Sequence, residues 1–136
     1  MKTLGILLLG VLATLAFPAC NTTEKYAQNN AAGMRWLNIN AGTPKINITG
    51  RWHSAVWGGA LLSQNGNRIT GTIGDYQANG VVRGDIACIA LSSEGWVYYT
   101  IMARLTAPDS LVGYYSSEVP YSPSDESAFA LTRSVL

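Results

Sequence analysis

Asn65-Gly66 stands between two runs of mixed apolar and polar residues, Gly59–Gln64 and Asn67–Ile73. A two-residue type I′ turn needs positive φ at both central positions, and Asn-Gly supplies it. The pair therefore commits this stretch to a tight antiparallel hairpin. Similar punctuation recurs along the chain. Ser92-Ser93-Glu94-Gly95 closes another hairpin, and Ala107-Pro108-Asp109-Ser110 puts proline where a turn favours it. Gly74–Gly80 and Val119–Glu126 read as loops. The strands expected between these breaks are Ile46–Ser54, Val56–Gln64, Arg68–Gly74, Gly80–Ser92, Gly95–Thr106, Leu111–Ser117 and Ser127–Val135. The fourth is long enough to split near Gly84 or Cys88, and no helix longer than two turns is expected. Strands at this spacing argue for an all-β sandwich or barrel over residues 46–136.

A repeated triplet favours the barrel. Glycine is flanked two residues away by bulk in Ile48-x-Gly50-x-Trp52, Ile69-x-Gly71-x-Ile73, Val82-x-Gly84-x-Ile86 and Leu111-x-Gly113-x-Tyr115. Period two places each triplet on one face. Glycine inside a strand costs stability, and tight coiling of a closed sheet is a reason to accept that cost. Thr49-Gly50-Arg51-Trp52, followed by Leu61-Leu62-Ser63-Gln64-Asn65-Gly66-Asn67 and Thr70-Gly71-Thr72, resembles the opening hairpin of small avidin-like and lipocalin-like barrels. The resemblance spans residues 48–73 with an echo to 115, and it implies an antiparallel meander barrel of about 7–8 strands. It brings no ligand with it, because avidin's biotin-contacting residues find no residue-by-residue match.

The first 19 residues read as a cleaved signal peptide: Met1-Lys2-Thr3, an apolar run from Leu4 to Phe17, then Pro18-Ala19. An uncleaved N-terminal anchor is the other reading. Phe17-Pro18-Ala19-Cys20 resembles the lipobox of bacterial lipoproteins, with Phe17 where that family mostly has leucine. The resemblance implies acylation of Cys20, membrane anchoring and a place in the cell envelope. Asn21, where aspartate would signal inner-membrane retention, points to the outer membrane in a two-membrane organism. The chain's other cysteine, Cys88, lies in the apolar run Ile86–Leu91 and reads as a small buried hydrophobe. A Cys20–Cys88 disulfide or a free reactive thiol are the alternatives. Residues 20–45 read as a polar, solvated tether reaching on the order of 25–30 Å. Within it, Met34, Trp36 and Ile39 mark a docking segment or a first edge strand.

Nothing in the sequence assembles catalytic chemistry. His53 is the single histidine, and period two turns it away from Trp52. No nucleophile elbow, zinc or calcium ligand spacing, or phosphate-cradling loop is present. Neither an enzyme nor a cofactor is therefore expected. Without Lys2 the chain has eight basic and eight acidic residues and no basic run, which disfavours nucleic acid as a partner. What remains is aromatic. Trp52, Tyr98 and Tyr115 are the candidate lining of a cavity for a small apolar or aromatic ligand. In Tyr98-Tyr99 and Tyr114-Tyr115 one ring of each pair faces outward, where it would serve protein contact. The expected function is binding, of a small ligand in the barrel or of an envelope protein on its surface. A ligand carrier needs a cavity near Trp52, whereas a protein binder needs a filled core and an exposed aromatic patch.

Overall fold

The computed structural model describes residues 20–134. It contains one helix, α1 (Cys20–Asn40), and eight strands: β1 (Gly50–Ser54), β2 (Gly58–Asn65), β3 (Arg68–Ile73), β4 (Tyr76–Arg83), β5 (Ile86–Ser93), β6 (Trp96–Ala107), β7 (Ser110–Ser116) and β8 (Ser127–Arg133). Each strand pairs antiparallel with the next, and β8 returns to β1, so the sheet closes as a meander barrel. The expected β2–β3 hairpin forms, but its turn lies one residue later. Asn65 pairs with Arg68 as the last rung of the ladder, Gly66-Asn67 make the turn, and of the expected pair Asn65-Gly66 only Gly66 has positive φ, 61°. The signal peptide expected over residues 1–19 lies outside the described residues.

Period two sorts the interior. Trp52, Leu62, Ile69, Ile73, Ile89, Leu91, Ile101, Leu111, Phe129 and Leu131 point inward and form one cluster. Three of the four glycine triplets lie on this inner face as expected. The fourth does not: Gly84 sits in the β4–β5 turn at φ 61°. Val82 there faces in, and Ile86 faces out. The long fourth segment thus splits at Gly84-Asp85. Its front edge also differs from expectation. Gly74-Asp75 alone is the turn, and Tyr76–Asn79 belongs to β4, where Tyr76 and Ala78 point inward between polar Gln77 and Asn79. Small and polar residues disguised a strand as a loop.

The largest difference is at the tether. Residues 20–40 form a helix of 21 residues in place of a coil. Tyr26, Asn30, Gly33 and Leu37 recur at i, i+4, i+7 and i+11, which is one helix face. That face lies on the outside of β4, β5 and β6. The stripe escapes a search for apolar periodicity because two of its four members are asparagine and glycine. Asn30 works through hydrogen bonds: its Nδ2 donates to the Gly95 carbonyl at 2.6 Å, and its Oδ1 accepts from the Val97 N–H at 2.9 Å. Gly33 lets the helix approach Val97 and Val119 closely. Asn40 Nδ2 donates to the Trp36 carbonyl at 2.8 Å, satisfying one of the last-turn acceptors.

Helix docking explains why β5 is apolar on both faces. Ala87, Ile89 and Leu91 fill the barrel, while Ile86, Cys88 and Ala90 face α1 with Leu37 and Val81. Cys88 is a free, buried thiol, and burial pushes it up to about 11. Leu37 lies about 25 Å of helix rise from Cys20, far beyond the Cα separation of roughly 7 Å that a disulfide spans. Leu37→Ala should cost about 2–4 kcal/mol and speed hydrogen exchange at the Val97 amide. The Cys88 thiol stays protonated in the folded state while the unfolded thiol ionises near 9. Its contribution is therefore complete below pH 9 and lost as pH rises toward 11. Urea titrations from pH 8 to pH 11 should show a decline that is smaller in Cys88→Ala than in the wild type, by on the order of 2–3 kcal/mol.

Candidate functional site

Both ends of the barrel are shut. At one end Trp57, on the β1–β2 turn, lies over the mouth. Its ring centroid is 4.7 Å from Tyr115, 5.4 Å from Tyr99, 5.8 Å from Phe129 and 6.2 Å from Tyr76. The tilted and edge-on angles are those aromatic quadrupoles favour. Buried Ser54 holds the turn: its Oγ accepts from the Val56 and Trp57 N–H groups at 3.1 and 3.2 Å. Burial and the neighbouring Tyr99 raise the Tyr76 hydroxyl above its ordinary value.

At the other end residues 41–49 cross the opening as a strap. Gly42 N–H donates to the Val82 carbonyl, Lys45 N–H to Gly84, and Gly84 N–H back to Thr43, at 2.8–3.1 Å. Gln64 takes the place of a ladder partner for the strap. Its Oε1 accepts from Ile48 N–H at 2.9 Å, and its Nε2 donates to the Ile46 carbonyl at 2.8 Å. This explains why β1 starts at Gly50 and not at Ile46. Trp52 Nε1 donates to the Ile48 carbonyl at 2.9 Å, and the Arg133 guanidinium stacks on the Trp52 ring at 4.2 Å.

The residues singled out from sequence do not converge. Trp52 is 1% exposed and sits in the core on the strap side. Tyr115 belongs to the aromatic plug at the opposite end. Tyr98 is outside, 5.8 Å from Tyr26 of α1, which also contacts Trp96 at 5.6 Å. Cys20 opens α1. His53 is exposed on the outer face of β1. Among the described residues no three His, Cys, Asp or Glu side chains are grouped to hold a metal. Ile73, Ile89, Leu91, Ile101, Leu111 and Leu131 are fully inaccessible, so side chains occupy the space a ligand would need.

The outward rings do separate from the inward ones. Tyr99 and Tyr115 point in, whereas Tyr98 and Tyr114 are exposed. Tyr114 stands on an apolar flank made by β6, β7 and β8. Register aligns Met102, Tyr114 and Ala128 in one row, and Arg104, Val112 and Ala130 in the next. With Ala55 and Val56 of the β1–β2 turn, Arg104, Val112, Tyr114, Ala128 and Ala130 line a shallow depression of about 520 Å³. A second depression of about 200 Å³ adjoins it, sharing Arg104, Val112 and Gly113. Val56, Val112 and Tyr114 are 47%, 43% and 49% exposed, so a contiguous apolar face meets solvent here. Arg104 bounds it, paired with Asp85 at 2.9 Å. Both members of that pair are exposed, so the pair contributes little to stability.

The β7–β8 connection borders this flank and is rigidly tied. Asp125 Oδ2 accepts from Ser117 N–H at 2.9 Å, Ser117 Oγ at 2.6 Å and Ser116 Oγ at 3.3 Å. These donors, Ser117's foremost, hold the carboxyl below the usual aspartate range. Protonation must therefore loosen the connection as pH falls through that depressed value. Tyr121 donates to Glu126 and stacks on Trp36 of α1 at 6.3 Å. Burial, then the Glu126 bond, raises the Tyr121 hydroxyl well above its ordinary value.

These features define a closed, side-chain-filled meander barrel with an external helix. In comparison with known proteins, no family model, curated protein or solved structure matches the chain.

Proposed function

We propose that the chain is an exported, lipid-anchored protein of the cell envelope, without enzymatic activity, whose barrel is a protein-binding module. The observation that carries the binding reading is the pairing of a filled interior with an exposed apolar flank. A carrier of a small apolar or aromatic ligand needs interior volume, and side chains take that volume here. A protein binder needs an accessible apolar centre with aromatic anchors, and Tyr114, Val112 and Val56 supply one. An inhibitor of an envelope hydrolase or an assembly factor fits this surface.

The anchoring reading rests on the lipobox resemblance and the apolar leader. In the described residues no helix is long and apolar enough to cross a membrane. Acylation at Cys20 would place the lipid six residues before Tyr26, about 9 Å of helix rise. The barrel would then ride close to the bilayer, on whichever membrane carries it, the outer one in a two-membrane organism.

A photo-activated cross-linker at position 112, used in the native envelope, should capture a discrete protein. The same probe at Thr72, exposed on β3 away from the flank, should not. Native mass spectrometry of the gently extracted protein should show a lipid-sized increment on a chain beginning at Cys20. A small-molecule adduct without any protein adduct at position 112 would overturn protein binding in favour of ligand carriage. A chain without lipid would overturn the anchor and leave the binding module untouched.

A further inference from the structure

Folding sorts charges that the sequence mixes. Asp75, Glu94, Glu118, Asp125 and Glu126 all sit on the β3–β4, β5–β6 and β7–β8 connections, at the plugged end. The strap end carries Asp85 and Asp109 on its β4–β5 and β6–β7 turns and gathers bases in one corner. Arg68 opens β3, and Arg83 closes β4. Arg68 pairs with Val81, so Arg83, two residues along β4, shares its outer face. Such diagonal neighbours stand about 7–8 Å apart. The Arg83 stem lies against Gly42 of the strap, and Lys45 N–H bonds the adjoining Gly84 carbonyl at 2.8 Å. Arg68 Nη2 donates to Asn38 Oδ1 of α1 at 3.2 Å. On that helix Arg35 neighbours both Asn38 and Ile39, at i+3 and i+4.

Arg35, Lys45, Arg68 and Arg83 are all exposed. None makes an ion pair among the described residues, and Asp85, the acid next to this corner, is engaged by Arg104. Ile39, in the same corner, is 74% exposed.

We infer that this corner is a docking surface for an acidic polypeptide, one that presents carboxylates around an apolar side chain. Uncompensated positive charges on one face steer and orient an acidic partner. The exposed isoleucine decides the class of partner. An anionic glycan has no apolar group to cover it, whereas an apolar centre within a charged rim is the ordinary anatomy of a protein interface. The corner is separate from the β6–β8 flank, so its test does not depend on that surface.

The test uses the full exported protein and three probes: a fluorescent Glu/Leu peptide, polygalacturonate and vesicles of anionic phospholipid. Fluorescence anisotropy should show the peptide binding at 50 mM salt and weakening about tenfold or more at 300 mM, as exposed charges are screened. R68E/R83E should abolish binding, and Ile39→Ser should weaken it about threefold to tenfold with the salt dependence kept. Both variants change exposed side chains, and near-UV circular dichroism checks that the barrel persists. Lys45→Glu, a single exposed change on the strap, stands in if the double variant misfolds. Failure of the wild type to bind the peptide overturns the inference. So does unchanged binding by R68E/R83E or Lys45→Glu. Equal or tighter binding of polygalacturonate or vesicles overturns the assignment to a polypeptide.

Discussion

Gly71→Val should lose a large part of the barrel's stability, whereas Gly59→Val, on the neighbouring strand, should keep it. Gly71 holds φ 147°, a conformation that branched side chains do not reach without strain. Space is closed as well: any Cβ there would overlap the Leu61 carbonyl oxygen and crowd the Leu62 Cα. Both obstacles are backbone, so rotamer changes cannot relieve them. Together they should cost on the order of 4 kcal/mol or more, a large part of the 5–15 kcal/mol typical of a domain. Gly59 has no unusual φ, and no atom lies within 4 Å of the place its Cβ would take, so valine there should change stability by about 0.5 kcal/mol or less. Gly113→Val separates the two effects. Its φ is unremarkable, yet a Cβ would press on Met102 and Ala103 backbone atoms. Urea unfolding of the three variants, followed by tryptophan fluorescence, reads the series. Equal stability for Gly71→Val and Gly59→Val would overturn the claim that coiling requires glycine at position 71.

The glycine pattern was the most legible part of the fold because closure acts on the backbone locally. A strand bent hard enough to close approaches its neighbour's carbonyls, and a missing side chain records this in the sequence. Turn chemistry was legible for the same reason, at Pro108-Asp109 in full and at Asn65-Gly66 to within one residue. Gly84 shows the limit: the same spacing of bulk around glycine also arises where a turn interrupts two strands. The helix was hidden for a different reason. Its docking face relies on Asn30 bonds and on close approach at Gly33, and neither raises the apolar content of the stripe. The both-sided apolar run Ile86–Leu91 was the available clue that something covers β5 from outside.

The candidate surface was half legible. Period two correctly divides Tyr98 from Tyr99 and Tyr114 from Tyr115, because alternation needs no partner strand. It says nothing of which end or flank each residue reaches. Trp52, Tyr98 and Tyr115 share a residue class and not a place: one lies under the strap, one beside α1, one in the plug. The strap-end bases were invisible for the same reason. Arg35, Lys45, Arg68 and Arg83 are scattered along the chain, and only the meander's turns together with the docking of α1 and the strap bring them to one end.

Trp52→Ala should cost about 3–5 kcal/mol, and the loss should be coupled to Arg133. Trp52 fills the strap end of the core at 1% exposure. Its Nε1 also ties the Ile48 carbonyl, so truncation leaves both a cavity and a buried acceptor without its donor. Arg133 covers the indole and reaches past it. Its Nε donates to the Pro108 carbonyl at 3.0 Å, Nη1 to Thr49 at 2.6 Å and Nη2 to Asn47 at 3.4 Å. One guanidinium thereby joins β8, the β6–β7 turn and the strap. Arg133→Met keeps the apolar stem and loses all three donations, which should cost about 2–4 kcal/mol. Arg133→Lys should recover little, because a single ammonium lacks the planar fork that spans separated carbonyls. A double-mutant cycle of Trp52→Phe with Arg133→Met should give a coupling of about 0.5 kcal/mol or more, since the two groups are in contact. Opening this end should also admit an apolar probe dye to the interior, which the wild-type barrel excludes. If Arg133→Met is as stable as wild type and still excludes the dye, Gln64 and the backbone bonds at Gly42, Lys45 and Gly84 fasten the strap without it. If it binds the dye, the clamp is what keeps the barrel full and leaves binding to its outer surface.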